Sequence, residues 1–270
     1  MGLLRTLTPG YAVSVATYAL MDNHFHMVVY FDPLANRTWP DEEVAQRWYL
    51  SHPSQLRDPT DDQERREKEE LLASDPEEVE RCRRHLGSLS EFMKALKVSM
   101  SRWANREVDS GGHFWDDRFY SGAILSEQSL MTTMAYVDLN PIRAKIARTI
   151  EESVHTGLYD RVQAAELDAA ALAAYLAPCF DGLKDRSGVV KQTLKAYRAF
   201  IEELLRAESS LPKPSQPISG NPLTREEVWR AAKQTLRDKP RVIGRTDDVL
   251  EWLEERGFKL RGPLLPEQLA

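Results

Sequence analysis

The feature that most constrains the fold of this chain is the run of residues 19–31, which holds two histidines one residue apart. In a β-strand, successive side chains point to opposite faces, so His24 and His26 are predicted to project from one face. The other face is then lined by four apolar side chains, Phe25, Met27, Val29 and Phe31. Two neutral imidazoles on one face suit zinc, manganese, or magnesium assisted by carboxylates or amides. The pattern alone leaves open a second interpretation, a histidine pair hydrogen-bonded at a sheet edge.

Strand signals surround this run. Residues 11–20 are rich in Ala, Val, Thr and Tyr, and the turn residues Asp22 and Asn23 separate them from the histidine strand. This arrangement predicts a hairpin or two adjacent strands. Residues 41–80 are polar, Glu-rich and interrupted by prolines, which predicts a partly helical, peripheral insertion. The expected fold class is α+β.

Two later segments carry clear helix signals. The capping box that begins at Ser88 introduces an amphipathic helix. Its apolar stripe is Leu89, Phe92, Met93, Leu96, Met100 and Trp103. After an aromatic loop and a short strand, a second helix is predicted to start near Ser126 and to end at Asn140, because Pro141 follows. Tyr136 and Asn140 are four residues apart and therefore share one face of this helix.

The charge of the chain is unevenly distributed. The formal net charge is −6, but residues 41–80 hold fourteen acidic and five basic side chains, which leaves the remainder at +3. The acidic total therefore does not exclude a nucleic-acid partner. Solvated helix faces are the simplest interpretation of the acidic block, and a surface that mimics DNA or faces a partner is the alternative.

Cysteine content and hydropathy exclude several classes of protein. Only two cysteines, Cys82 and Cys179, are present and they are far apart, which argues against a disulfide framework or a thiolate metal site. No apolar run approaches the roughly 20 residues that span a bilayer, and no export signal opens the chain. The expectation is a cytoplasmic protein without a membrane partner.

The carboxyl-terminal part is predicted to be a mainly helical extension, because residues from about 160 onward are rich in Ala and Leu. Four prolines between Pro212 and Pro222 indicate a linker, and a capping box at Thr224 begins a further helix. The predicted domains are a catalytic domain over 1–160, a helical extension over 161–207, a linker over 208–222 and a small helical unit over 223–270.

Three motifs, taken in order, resemble one family. They are residues 18–26 (YALMDNHFH), 114–119 (FWDDRF) and 136–144 (YVDLNPIRA). Together they resemble the single-tyrosine HUH transposases and, within these, the REP-associated branch. The resemblance spans roughly residues 11–160.

This resemblance implies a ferredoxin-like antiparallel sheet that carries the histidines on a central strand, with a tyrosine-bearing helix beside it. It implies that His24 and His26 bind a divalent metal, Mg²⁺ or Mn²⁺, and that Tyr136 is the catalytic nucleophile. Asn140 matches the position of a third metal ligand. Family members act as dimers on single-stranded or hairpin DNA, so DNA and a second copy of the chain are the expected partners.

The chemistry of the family explains these residue types. A tyrosine hydroxyl, with a reference pKa near 10, is only about one part in a thousand ionised at neutral pH and needs assistance as a nucleophile. A divalent ion supplies it by polarising the scissile phosphate. By the family mechanism, Tyr136 becomes linked to the 5′ phosphate and a 3′ hydroxyl leaves. Attack by a hydroxyl reverses this step and joins strands without ATP.

Further residues are candidates for DNA contact, and several have alternative roles. The candidate DNA-binding residues are Lys94, Lys97, Arg102, Arg106, Arg118 and Trp115. A solvated helix face is an equal interpretation for each basic residue. Tyr136 could pack at the edge of the core, and Asn140 could be the N-cap of a helix that begins at Pro141. Tyr120 is a competing nucleophile, although its aromatic neighbours favour packing or base stacking.

The chain departs from the family pattern at its start. Only 23 residues precede His24, whereas family members have a strand and a full helix before this point. Residues 1–8 are predicted to be the tail of that helix, and an unpaired sheet edge is expected. Two other functions therefore stay open: a catalytically inactive relic that binds DNA hairpins, and a metal hydrolase that acts through water activated at His24 and His26.

Overall fold

The computed structural model describes residues 2–183, 190–210 and 242–243, together with Glu251 and Glu255. The nine helices found there are α1 (Gly2–Leu7), α2 (Asp41–Ser51), α3 (Asp62–Ala73), α4 (Pro76–Leu86), α5 (Leu89–Glu107), α6 (Glu127–Asp138), α7 (Asn140–Arg143), α8 (Gly157–Leu167) and α9 (Leu194–Ser210). The strands in the same ranges are β1 (Val13–Leu20), β2 (Phe25–Phe31), β3 (Ala123–Ile124), β4 (Tyr175–Leu176), β5 (Phe180–Asp181), β6 (Val190–Thr193) and β7 (Val242–Ile243).

The fold class is α+β, as predicted, with a small antiparallel sheet and several helices. The largest sheet has the strand order β2-β1-β5, so β1 is its central strand. Seven of the eight residues of β1 are buried, which explains why its sequence is almost uniformly small or apolar. The predicted adjacency of the two amino-terminal strands is confirmed. Two-stranded sheets also form from β3 with β7 and from β4 with β6.

The histidine strand β2 occupies one edge of this sheet within the described residues. The central position implied by the family resemblance is therefore not what the structure shows. The physical reason is that β1 has its two neighbours in β2 and in β5, a strand of two residues that the sequence analysis did not predict. The edge that the sequence analysis expected to be unpaired is the edge that carries the histidines.

The described residues divide into two compact units. Unit 1 comprises residues 2–16, 29–119 and 177–183, and unit 2 comprises 17–28, 120–176 and 190–210 with the later described residues. The predicted linker over 208–222 overlaps the end of α9, and the rest of it lies outside the described residues. The predicted helical unit over 223–270 also lies outside them, apart from β7, Glu251 and Glu255. Within the ranges that the structure describes, no helix has both the length and the apolarity to cross a bilayer.

In unit 1, the acidic segment over 41–80 is partly helical, as its composition predicted, and its first helix contributes to the core. Helix α2 buries Val44, Arg47 and Trp48, and it packs against α3 and α4. The Arg47 side chain is only 3% exposed; its Nε contacts Glu43 at 2.7 Å, and its Nη1 donates to the carbonyls of Pro9 at 3.0 Å and Gly182 at 2.6 Å. A few buried side chains therefore suffice to anchor a helix whose overall composition is acidic.

Unit 1 also contains the capped helix α5. The Ser88 hydroxyl accepts a hydrogen bond from the Glu91 amide at 3.3 Å, as the capping box predicted. Phe92, Met93 and Leu96 are buried, but the predicted stripe does not stay covered to its end. Trp103, at the end of the stripe, is 61% exposed. The fully buried residues of α5 therefore lie in its first half.

Unit 2 is organised around Asp138, the last residue of α6. Its buried carboxylate accepts a hydrogen bond from the Thr17 hydroxyl at 2.6 Å, from the Tyr197 hydroxyl at 2.6 Å and from the Leu158 amide at 3.1 Å. These donors belong to β1, α9 and α8. One side chain therefore fixes the carboxyl-terminal end of α6 to three other elements.

We predict that Asp138→Ala lowers the free energy of unfolding by about 3 kcal/mol, because three buried donors lose their acceptor together. Urea unfolding followed by circular dichroism measures this loss. Glu166→Ala, which removes an exposed carboxylate from α8, serves as the control and should change stability by less than about 0.5 kcal/mol. Equal stability of the two variants would contradict the role assigned to Asp138.

Candidate active site

The two histidines meet at the start of β2. The turn before the strand is closed by a hydrogen bond from the Met21 amide to the His24 carbonyl at 2.9 Å. His24 is the residue immediately before β2, and His26 is the second residue of the strand. Their Nε2 atoms are 3.1 Å apart, with the ring planes at 85°. The prediction that both imidazoles project from one side is confirmed, although His24 itself lies just outside the strand.

A neighbouring amide fixes the orientation of the His24 ring. The Asn23 Oδ1 atom lies 2.7 Å from His24 Nδ1. An amide oxygen only accepts, so His24 Nδ1 carries the hydrogen and Nε2 presents its lone pair. With that tautomer of His24, His26 Nε2 is the donor of the 3.1 Å contact between the two Nε2 atoms. In the tautomer with its hydrogen on Nδ1, His26 presents a second lone pair to the same point.

This geometry fits a divalent metal. Two nitrogen ligands at about 2.1 Å from one ion lie about 3.0–3.4 Å apart when the angle at the metal is about 90–110°. The observed Nε2 separation of 3.1 Å falls within this range. Across the described part of the chain, His, Cys, Asp and Glu side chains form no group of three or more able to hold a metal. An amide oxygen, water or phosphate oxygens could complete the coordination, and oxygen ligands of this kind suit Mg²⁺ or Mn²⁺.

Tyr136 lies beside the histidine pair within unit 2. Its ring is perpendicular to that of His26, with the ring centroids 5.9 Å apart. Helix α6 begins at the Ser126 cap, as predicted, and buries Met134, Ala135 and Val137 around the half-buried Tyr136. The fixed helix therefore presents a phenol next to the two imidazoles.

Asn140 is the first residue of α7 and contacts Tyr136 through the backbone. Its Nδ2 atom donates to the Tyr136 carbonyl at 3.0 Å. The N-cap of α7 is Leu139, which makes no capping side-chain hydrogen bond, so the alternative role of Asn140 as an N-cap is wrong. The side-chain amide of Asn140 instead donates to a carbonyl at the end of α6, where backbone acceptors lack helical partners. Asn140 Oδ1 is the atom that the predicted metal-ligand role would require.

Arg143 is a neighbour of Tyr136 that the sequence analysis did not single out. Its guanidinium carbon lies 5.2 Å from the centroid of the Tyr136 ring, and Nη1 donates to the Tyr136 carbonyl at 3.3 Å. The spacing of seven residues, about two helical turns, is the signal that could have identified it. Pro141 lies between the two residues and indicated a helix end, so the helical spacing was not extended to Arg143.

The electrostatic environment of Asp138 combines opposing effects. Burial raises the pKa of its carboxyl above the usual range, while Arg161 and the hydrogen bonds from Thr17, Tyr197 and the Leu158 amide act in the opposite direction. Hydrogen bonding to an ionised carboxylate favours the charged form. The three donors therefore offset part of the cost of burying a charge two residues from Tyr136.

The candidate DNA-binding residues lie in unit 1 and differ in their contacts. The Lys97 ammonium donates to the Asp117 carbonyl at 2.6 Å and lies 5.0 Å from the Trp115 ring, whose Nε1 donates to the Lys97 carbonyl at 3.0 Å. Lys97 and Trp115 therefore brace the loop after α5. Lys94 is exposed and pairs with Glu91 at 3.2 Å. The remaining candidates are exposed guanidinium groups, Arg102, Arg106 and Arg118.

Tyr120, the competing nucleophile, is 45% exposed.

No protein-family model matches the chain, and neither the curated proteins nor the solved structures include a match. A function is therefore proposed from the motifs and from side-chain geometry.

We predict that Asn23→Ala weakens Mn²⁺ binding by about 10–100-fold, because the amide that orients the His24 ring is lost. Isothermal titration with MnCl₂ measures the affinity. Asn105→Ala removes an amide that bonds the Gly112 carbonyl and is the matched control, for which wild-type affinity is expected. Unchanged affinity in Asn23→Ala would show that the amide does not orient a metal ligand.

Proposed function

We propose that this protein is a metal-assisted DNA strand transferase of the REP-associated, single-tyrosine HUH type, with Tyr136 as its nucleophile. The observation that carries the proposal is the meeting of His24, His26 and Tyr136, which come from two distant motifs, within 5.9 Å between neighbouring rings. The small antiparallel sheet that contains β2 is compatible with the ferredoxin-like fold that belongs to this proposal, although β2 lies at its edge within the described residues. Mg²⁺ or Mn²⁺ is the proposed metal.

Each residue has a distinct task in the proposed reaction. His24 and His26 hold the metal, which polarises the scissile phosphate when bound. The Tyr136 hydroxyl attacks phosphorus; a bond from Tyr136 oxygen to phosphorus forms and the bond to the 3′ oxygen breaks. The phenol loses its proton, and the departing 3′ oxygen takes one up. The 5′-phosphotyrosine stores the bond energy until a hydroxyl attacks it in the reverse reaction.

The proposed partners are single-stranded or hairpin DNA and a second copy of the chain. Arg102, Arg106 and Arg118, all exposed, are proposed to contact phosphates, and Lys94 joins them on the exposed side of α5. Lys97 and Trp115 are proposed to act on DNA through the loop that they brace. This assignment separates the three exposed guanidinium groups from Lys97, whose ammonium is already hydrogen-bonded within unit 1.

The proposal is tested by the formation of a covalent adduct. Incubation of the full chain with a 5′-labelled and 3′-labelled DNA hairpin and Mn²⁺ should give a protein–DNA band that resists denaturation and that is lost in Tyr136→Phe. Tyr120→Phe removes an equally small group from the competing tyrosine and should leave the adduct at wild-type yield. An adduct that persists in Tyr136→Phe would contradict the assignment.

The position of β2 at a sheet edge favours one alternative function, a relic that binds DNA hairpins without cutting them. An edge strand has one row of backbone groups without a neighbouring strand and holds its side chains less firmly. The relic predicts salt-sensitive hairpin binding without an adduct in the same assay. Product release without any protein–DNA intermediate would instead indicate hydrolysis by metal-activated water.

We predict that Arg102→Gln combined with Arg106→Gln reduces the salt dependence of hairpin binding, with a slope of log affinity against log salt smaller by about one for each phosphate that the variant no longer binds. Fluorescence anisotropy at several NaCl concentrations measures the slope. Arg57→Gln is the control, since the Arg57 side chain is 92% exposed on a different segment of unit 1. An equal slope for the double variant and the control would exclude phosphate binding by α5.

A further inference from the structure

Arg143 contacts Tyr136 in two ways. The guanidinium carbon lies 5.2 Å from the centre of the phenol ring, and the same group donates to the Tyr136 backbone at 3.3 Å. A cation over an aromatic face is attracted by the ring quadrupole, so both contacts hold the guanidinium close to the tyrosine. The group is half-buried, which strengthens its electrostatic effect relative to an exposed arginine.

The backbone around Arg143 is fixed locally. Its amide donates to the Leu139 carbonyl at 3.1 Å, and α7 is followed by Lys145 in the left-handed region, with φ at 61°. The amides of Ile146 and Ala147 then return to the Pro141 carbonyl at 2.9 and 3.2 Å. The Arg143 guanidinium therefore extends from a short, hydrogen-bonded segment that directly follows α6, the helix that carries Tyr136.

We propose that Arg143 binds the non-bridging oxygens of the phosphate that Tyr136 attacks, an inference that rests on the proposed function. A phosphoryl group bonded to the Tyr136 hydroxyl would lie one oxygen beyond the ring over which the guanidinium is held. Guanidinium is planar, permanently charged and shaped for bidentate contact with phosphate, which a lysine ammonium does not reproduce.

Arg143 moves no proton in this step. The bond from Tyr136 oxygen to phosphorus forms, the bond to the 3′ oxygen breaks, and negative charge increases on the non-bridging oxygens in the transition state. A cation that contacts those oxygens would stabilise that charge more than it stabilises the ground state. Arg143 would thus complement a metal held by His24 and His26, because both act on the same phosphate.

The competing explanation is that Arg143 only braces the tyrosine ring. The two explanations differ in how they depend on substrate charge. A brace acts on Tyr136 whatever the phosphate carries, whereas a phosphate ligand matters only while the non-bridging oxygens are charged. A hairpin with a methylphosphonate at the scissile position removes that charge and leaves the attacked phosphorus in place.

The test is single-turnover adduct formation by wild type, Arg143→Gln and Arg143→Lys on the phosphate and methylphosphonate hairpins. With phosphate, we expect Arg143→Gln to be slower by about 10²–10³-fold, the usual cost of losing one transition-state donor, and Arg143→Lys to fall between it and wild type. With methylphosphonate, the loss in Arg143→Gln should shrink to less than about tenfold.

Other outcomes separate the two proposals. An equal loss on both substrates would overturn phosphate binding by Arg143 and leave a bracing role. Adducts at wild-type rate in Arg143→Gln would remove Arg143 from the reaction while the proposed function stands. No adduct with wild type on either hairpin would overturn the proposed function and this inference together. Thermal melting of each variant identifies a folding defect, and Arg143→Lys, which keeps the charge, provides the comparison if Arg143→Gln does not fold.

Discussion

The candidate site depends on the hydrogen bonds that the buried carboxylate of Asp138 accepts. It accepts hydrogen bonds from Thr17, Tyr197 and the Leu158 amide, which lie in β1, α9 and α8. A buried carboxylate is costly unless its lone pairs are satisfied, so the three donors must all be in place for α6 to end where it does. Tyr136 is two residues earlier on that helix. The position of Tyr136, the proposed nucleophile, is therefore set by a buried polar cluster to which no catalytic role is assigned.

The histidine pair depends on local structure. A tight turn and the Asn23 amide orient His24, while β2 carries His26 at the sheet edge. The Nε2 atoms meet at 3.1 Å, a separation that suits either one shared proton or one shared metal ion. At such a sheet edge, further ligands to a metal ion can come from both the protein and the solvent. The site thus combines a tyrosine on a packed helix with a histidine pair that includes the exposed His24.

Much of this site could be predicted from the sequence, because its parts are local. Alternation in β2, the Ser126 cap and the spacing from Tyr136 to Asn140 are short-range patterns, and each was identified. Asp138 was not, since its partners Thr17 and Tyr197 are distant in sequence and a carboxylate at a helix end ordinarily indicates exposure. Strand β5 is too short to have a periodicity. Helical spacing identified the apolar face of α5 but does not show how far along the helix that face is covered, and Trp103 lies at its exposed end.

The proposed function requires one metal ion held jointly by the His24 and His26 imidazoles beside Tyr136. Crystals of the full chain soaked in MnCl₂ and measured at the manganese absorption edge test this most directly. We expect one anomalous peak within coordination distance of the Nε2 atoms of His24 and His26, on the side of the Tyr136 ring. A saturating soak that leaves the two Nε2 atoms hydrogen-bonded to each other, with no peak between them, would contradict it.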